Sequence, residues 1–153
     1  MPWRFPTPDP LPPALWPEIL VVTSTVLGEA AGEGRAGQRA VAMVIAHRAR
    51  DEKGRWPKTY AGVCLQPRQF SCWDDERTLP KMRFPMRHVG EDVWESCFLA
   101  SIEALYGYEP SYIGGANHYL NEAAVLKASG KLPGWFDQSK VTIRIGRHTF
   151  LEL

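Results

Sequence analysis

Residues 17–50 constrain the fold of this chain more than any other stretch. Ile19, Val22 and Val26 recur at helical spacing, and the same spacing lands next on Glu29 and then on Glu33. An amphipathic helix is predicted from about 17 to 30, with Pro17 suited to its first position. Gly32 and Gly34 break it. A second helix is predicted over about 35–50, with Val41, Val44, Ile45 and Arg48 on related faces. Its small residues Ala36, Ala40, Ala42 and Ala46 let another helix pack close. The anomaly is the pair of carboxylates. A carboxylate on a core-facing stripe loses water, and desolvation raises its pKa. A carboxylic acid that donates a proton near neutral pH needs that environment. Spacing alone leaves a second reading open, in which Glu29 is a solvated glutamate at a helix end.

The remaining chain reads as further helices and a small β element. Residues 1–17 hold seven prolines, which fix φ and lack a backbone donor, so an extended arm is expected there, pinned by Trp3, Phe5 and Trp16. Residues 51–58 form a polar turn, and Thr59 is placed to cap a short helix through Leu65. Residues 66–89, rich in Arg, Pro and aromatic groups, show no periodicity and read as a long loop of the kind that often carries function. A long helix is predicted over about 91–106, opened by Glu91 and Asp92 and closed by Gly107, with Trp94, Phe98, Ile102 and Leu105 on its apolar face. Gly114-Gly115 turns into Asn117-His118-Tyr119, Asn121 caps a short helix to about 128, and residues 141–153 alternate around Gly146 as a β-hairpin. The class is α+β, mainly helical, with the arm at 1–17 and one domain over 18–153.

Composition removes several function classes. A net charge of +1 leaves no electrostatic footprint for nucleic acid. Nothing approaches the ~20 apolar residues that span a bilayer. No basic region followed by an apolar core opens the chain, so no signal peptide is expected. Cys64, Cys72 and Cys97 form no Cys-x-x-Cys pair and read as buried free thiols. A monomer is expected.

Several motifs occur in a fixed order. Glu29-Ala30-Ala31-Gly32-Glu33 is followed by Gly37-Gln38 and an apolar helix ending in His47-Arg48. Then come Gln69-Phe70-Ser71 with Trp73, Ala104-Leu105-Tyr106-Gly107, Gly115-Ala116-Asn117-His118-Tyr119, and Ile145-Gly146 with His148 and Phe150. Across residues 18–153 the chain resembles the SleB-type cell wall hydrolase family of spore cortex-lytic enzymes. The resemblance implies a lysozyme-like domain that cleaves the glycan strands of bacterial peptidoglycan, as a muramidase or a lytic transglycosylase, with no cofactor and no metal. Without a leader, such an enzyme is expected to be made in a host cytoplasm and released by a holin or by lysis, as a phage endolysin is.

The resemblance aligns Glu29 with the family's catalytic acid. Glycosidic cleavage needs a proton delivered to the leaving oxygen as the sugar gains oxocarbenium character. Glu33 is either a second carboxylate serving as base or a charge at the start of the 35–50 helix. Gln38 falls within the motif as a supporting residue. Gln69 and Phe70 are candidates for groove lining, with Phe70 equally a core anchor. Asn117 and Tyr119 follow a glycine turn that lets backbone approach a ligand, and Tyr119 is placed to hold Glu29 or a sugar. Trp135 is a candidate for stacking on a pyranose ring or for core packing, and His148 is read as structural or orienting. Two rivals remain. A zinc-dependent amidase or peptidase would draw on His47, His88, His118 and His148, but no His-x-x-x-His or His-Glu-x-x-His spacing occurs. A non-enzymatic wall-binding module is the other.

Overall fold

A computed structural model describes residues 12–107 and 111–153. The first apolar helix, α1 (Glu18–Ala30), is the axis on which the rest is built. It is not amphipathic in effect: Leu20 through Leu27 are all buried. Thr23, Ser24 and Thr25, polar residues within this buried run, satisfy their hydroxyls internally. Thr23 and Thr25 donate to the carbonyls of Ile19 at 2.7 Å and Val21 at 2.8 Å, and Ser24 donates to the carbonyl of Met82 at 3.0 Å. A hydroxyl with a fixed acceptor is tolerated inside, which is why Thr and Ser can stand in the buried stretch of this helix.

The alanine-rich helix α2 (Gly34–Ala49) packs on α1, and Gly37 through Ala46 are buried. Thr59 caps α3 (Tyr60–Leu65), its side chain accepting the Gly62 N–H at 3.0 Å. The segment expected to be irregular holds two short helices, α4 (Leu79–Arg83) and α5 (Pro85–His88), and a single 3-10 turn over Ser71–Trp73. These elements are too short for a 3.6-residue period to show. The long helix α6 (Glu91–Tyr106) closes the helical core with Trp94 fully buried, and Gly107 ends it at φ 64°. Of its expected apolar face, Ile102 is only half-buried.

The β element is larger than a hairpin. β1 (His118–Leu120) adds to β2 (Val141–Ile145) and β3 (His148–Leu151) in an antiparallel sheet of order β1-β3-β2. Tyr119 pairs with Phe150, and Ile145 with His148 across the two-residue turn Gly146-Arg147. A three-residue strand carries no readable alternation, so β1 was hidden in the sequence. Between β1 and β2 lies α7 (Glu122–Ser129), capped by Asn121, whose side chain accepts the Ala124 N–H at 3.0 Å. Trp16 is buried against Trp73 with ring centroids 6.0 Å apart, while Trp3 and Phe5 lie outside the described residues. Among the described residues, no helix is long and apolar enough to cross a membrane.

Candidate active site

α1 ends where the helical core meets the sheet, and Glu29, one residue from its last, emerges half-buried at that junction. Two elements distant in sequence meet its carboxylate. Oε1 accepts the backbone N–H of Cys72 at 3.0 Å, with the Ser71 hydroxyl at 3.5 Å, and Oε2 accepts the Tyr119 hydroxyl at 2.9 Å. The turn that supplies the Cys72 N–H is itself pinned to α1, because Trp73 Nε1 donates to the Thr25 hydroxyl at 3.0 Å. Gly28 makes the close approach possible: a Cβ there would stand 2.5 Å from the Cys72 Cβ. Tyr119 is in turn fixed by ring contacts with His148 at 5.0 Å and Phe150 at 5.6 Å. Burial, then the Glu29 charge, push the Tyr119 phenol well above its ordinary pKa, so it stays a neutral donor.

Glu33 sits on the same helical spacing but meets a different fate. Its Oε1 accepts Arg147 Nε at 2.6 Å and its Oε2 accepts the Arg147 backbone N–H at 3.1 Å. The Glu33 side chain is only 5% exposed. Burial pushes its carboxyl up, but the Arg147 hydrogen bonds and charge outweigh that and hold it below the usual range. Its side chain makes no capping hydrogen bond to α2, so the expected capping role is replaced by an anchor for the β2–β3 turn.

The other predicted residues divide sharply. Gln38 is buried, donating to the Ala31 carbonyl at 3.2 Å and accepting the Ser96 hydroxyl at 2.6 Å, so it ties the glycine turn to α6. Asn117 is also consumed: its amide donates to the Leu153 carbonyl at 2.9 Å and its Oδ1 accepts the Leu153 N–H at 3.0 Å. Phe70, 2% exposed, is a core anchor beneath Tyr119 and offers no open face to a sugar. Gln69 is exposed, its Oε1 accepting Arg48 Nη1 at 3.3 Å. Trp135 is 41% exposed and packs on His118 at 5.2 Å, and His118 in turn meets the Trp56 ring at 5.8 Å. His148 is buried, and burial lowers its pKa against the opposing charges of Glu33 and Glu29.

Arg48, which the sequence offered only as a helix-face residue and as part of the His47-Arg48 motif, is a buried charge beside the candidate site, its Nη1 donating to Gln69 Oε1. It is 5% exposed, donates from Nε to the Asn117 carbonyl at 2.7 Å, and lies over both Trp56 and Phe70 at 5.4 Å. Burial lowers its pKa while Tyr119, Cys64 and Glu29 oppose that. The available signal was the same as for Glu29, a charge on an apolar stripe. The three cysteines are free and buried. Burial pushes Cys64 and Cys97 to about 12 and Cys72 higher still, so none is poised as a thiolate. Among the described residues, no group of three or more His, Cys, Asp or Glu side chains is placed to hold a metal ion.

A family model described as Cell Wall Hydrolase matches residues 32–151. The chain belongs to the cell wall hydrolase family. The matched span begins just after Glu29. Similar relatives include a spore cortex-lytic enzyme of Halalkalibacterium halodurans, 31% identical over 133 residues, and one of Oceanobacillus iheyensis, 29% identical over 133 residues. Those alignments take in 87% of this chain but only 34% and 41% of the relatives. Among solved structures, the catalytic domain of the Bacillus cereus SleB protein is similar with a TM-score of 0.62 and 25% identity, covering 88% of this chain and 89% of that one. The catalytic domain of the germination-specific lytic transglycosylase SleB from Bacillus anthracis gives the same score and identity, with 93% of its chain covered. The cell wall hydrolase domain described here therefore has their lysozyme-like fold.

Proposed function

We propose that this cell wall hydrolase cleaves the glycan strands of peptidoglycan with Glu29 as its general acid. The observation that carries the proposal is the two-sided hold on the Glu29 carboxylate by the Cys72 N–H and the Tyr119 hydroxyl. An amide N–H can only donate, so Oε1 is kept as an acceptor and the acid proton is carried by Oε2. A phenol donates to a carboxylate and accepts from a carboxylic acid, so Tyr119 steadies both protonation states. A glycosidic oxygen between N-acetylmuramic acid and N-acetylglucosamine, brought against Oε2, takes that proton as its bond to the anomeric carbon breaks.

No second carboxylate takes part in this reading, because Glu33 is locked to Arg147. A single-acid mechanism suits a lytic transglycosylase, in which the ionised Glu29 then takes a proton from the muramic 6-hydroxyl and a 1,6-anhydro product forms. Water attacking the same carbon gives a muramidase. Gln69 and Ser71, exposed on the loop beside Glu29, are the polar groups we assign to sugar hydroxyls. Arg48 is a positioning residue that keeps Gln69 and the Asn117 backbone in place. A role in phage-driven lysis of a host, by a monomer made in the cytoplasm, is a further part of this proposal and rests on the sequence alone.

The test is mass spectrometry of soluble products after incubating the protein with peptidoglycan, alongside Glu29→Gln. Muropeptides with 1,6-anhydro ends are expected for a transglycosylase and reducing muramic ends for a muramidase. Loss of one general acid costs roughly 10²–10⁴-fold in rate, so Glu29→Gln should fold normally and release almost nothing. A variant that cuts at the wild-type rate, or intact glycan with freed peptides, would overturn the assignment.

A further inference from the structure

A cavity of about 510 Å³ lies between α7 and the β2–β3 turn, with Asn121, Glu122, Lys127, Arg144, Arg147 and His148 among its walls. Glu29 does not line it, but the connection is short. His148 forms part of the wall, its ring is 5.0 Å from that of Tyr119, and Tyr119 holds Glu29. The cavity thus opens two side chains from the candidate acid.

Its charge is mostly positive and only partly spent. The single acidic wall residue, Glu122, is occupied: it accepts Arg144 Nε at 3.1 Å and the Thr149 hydroxyl. Arg144 Nη2 also donates to Gln138 Oε1 at 3.0 Å. Arg147 commits Nε and its backbone N–H to Glu33, and its side chain remains 69% exposed. Lys127 is exposed and makes no ion pair among the described residues. His148 is 8% exposed, and its buried Nδ1 has no hydrogen-bond partner among the described residues. Two guanidinium edges and an ammonium around one cavity suit carboxylates, which guanidinium groups bind with planar, two-pronged geometry.

We propose that this cavity receives the carboxylates of the peptide stem carried by the muramic residue whose glycosidic bond lies at Glu29. The inference rests on the glycan-cleavage reading above. A peptidoglycan stem is a short anionic peptide that leaves the sugar ring through its lactyl group. Four extended residues reach at most about 14 Å, and the cavity wall nearest in contact terms is His148, the ring neighbour of the Tyr119 that holds Glu29. The domain then reads the peptide as well as the sugar, and stripped glycan is a poorer substrate than stem-bearing glycan.

Steady-state kinetics on two soluble substrates decide it: uncrosslinked glycan strands with their stem peptides, and the same strands stripped by an amidase. The wild-type protein is expected to show a lower KM on stem-bearing strands. Lys127→Glu, on an exposed helix position, should raise that KM by about threefold, the scale of one exposed ion pair, and leave kcat and the stripped-strand KM unchanged. Titrating the free tetrapeptide into Glu29→Gln should shift amide resonances of α7 and the β2–β3 turn, and Lys127→Glu should weaken that binding. Equal KM on the two substrates, or a Lys127→Glu effect of the same size on both, overturns the stem site and leaves glycan cleavage standing. Cleavage of neither substrate overturns the glycan-cleavage reading and this inference with it.

Discussion

At the residue scale, Glu29 and Glu33 show how much the partner decides. They are one helical step apart and share a side-chain type, yet Glu29 is met by a hydroxyl and an amide while Glu33 is met by a guanidinium. A carboxylate held by neutral donors can exchange its proton with a ligand. One paired to an arginine is held as an anion and acts as a strut. Gly146, at φ 55°, completes that strut, since a Cβ there would stand 2.2 Å from Glu33 Oε2. Glu33→Gln keeps an acceptor for the Arg147 N–H but loses the charge-assisted part of the contact, so it should cost about 1–2 kcal/mol of stability. Its specific lysis rate should stay within a few-fold of wild type. Urea midpoints and turbidity assays on the same preparations check both statements; a rate loss equal to that of Glu29→Gln at unchanged stability would move Glu33 into the mechanism.

At the element scale, the site depends on the closeness of α1 to the Ser71–Trp73 turn. Gly28 is the residue that sets that distance, with Cys72 Cβ and Sγ and Met82 Sδ all within 2.9 Å of where its Cβ would be. Gly28→Ala gains helix propensity but forces the turn outward, and overpacking of this kind costs roughly 1–3 kcal/mol. Because the displaced turn carries the N–H that holds Glu29, activity should fall more than the stability loss alone explains at a temperature where the variant is fully folded. A Gly28→Ala protein with wild-type activity would show that the turn position is immaterial. The long elements were legible in the sequence because repetition exposes them: the α6 bounds and the Thr59 and Asn121 caps follow from pattern and capping chemistry. The short ones were not. α4, α5 and β1 are held by tertiary contacts such as the Ser24 hydroxyl on the Met82 carbonyl and the β1–β3 pairing. The burial of Thr23, Ser24 and Thr25 was equally hidden, since a polar residue looks the same in sequence whether water or a carbonyl satisfies it. Within the site, Glu29 and Tyr119 could be singled out as residues, but the Cys72 N–H that completes the hold carries no side-chain signature at all.

At the scale of the whole molecule, two histidines make the sheet's docking on the helices sensitive to acid. Burial, with Arg48 and Arg55 adding repulsion, lowers His118 on β1 to about 4, and burial lowers His148 on β3 as well. In the unfolded chain both take a proton near pH 6.5. Between that value and the folded values the unfolded state binds more protons, so stability falls as pH drops through the window and is unaffected by these groups above it. The depressed carboxylates contribute only below their unfolded values near pH 4: Asp51, lowered to about 2 by its Arg55 hydrogen bonds, and Glu33, lowered by Arg147. The range from pH 6.5 to 5 therefore isolates the histidines. The denaturant midpoint should decline across it, and His118→Gln should flatten the decline while leaving the part due to His148. A midpoint that rises on acidification, or a slope untouched by His118→Gln, would contradict the assignment. Since Tyr119 lies between these histidines in the sheet and holds Glu29, loss of sheet docking at low pH should release the candidate acid from its partner, and lytic activity should decline no later than the midpoint does.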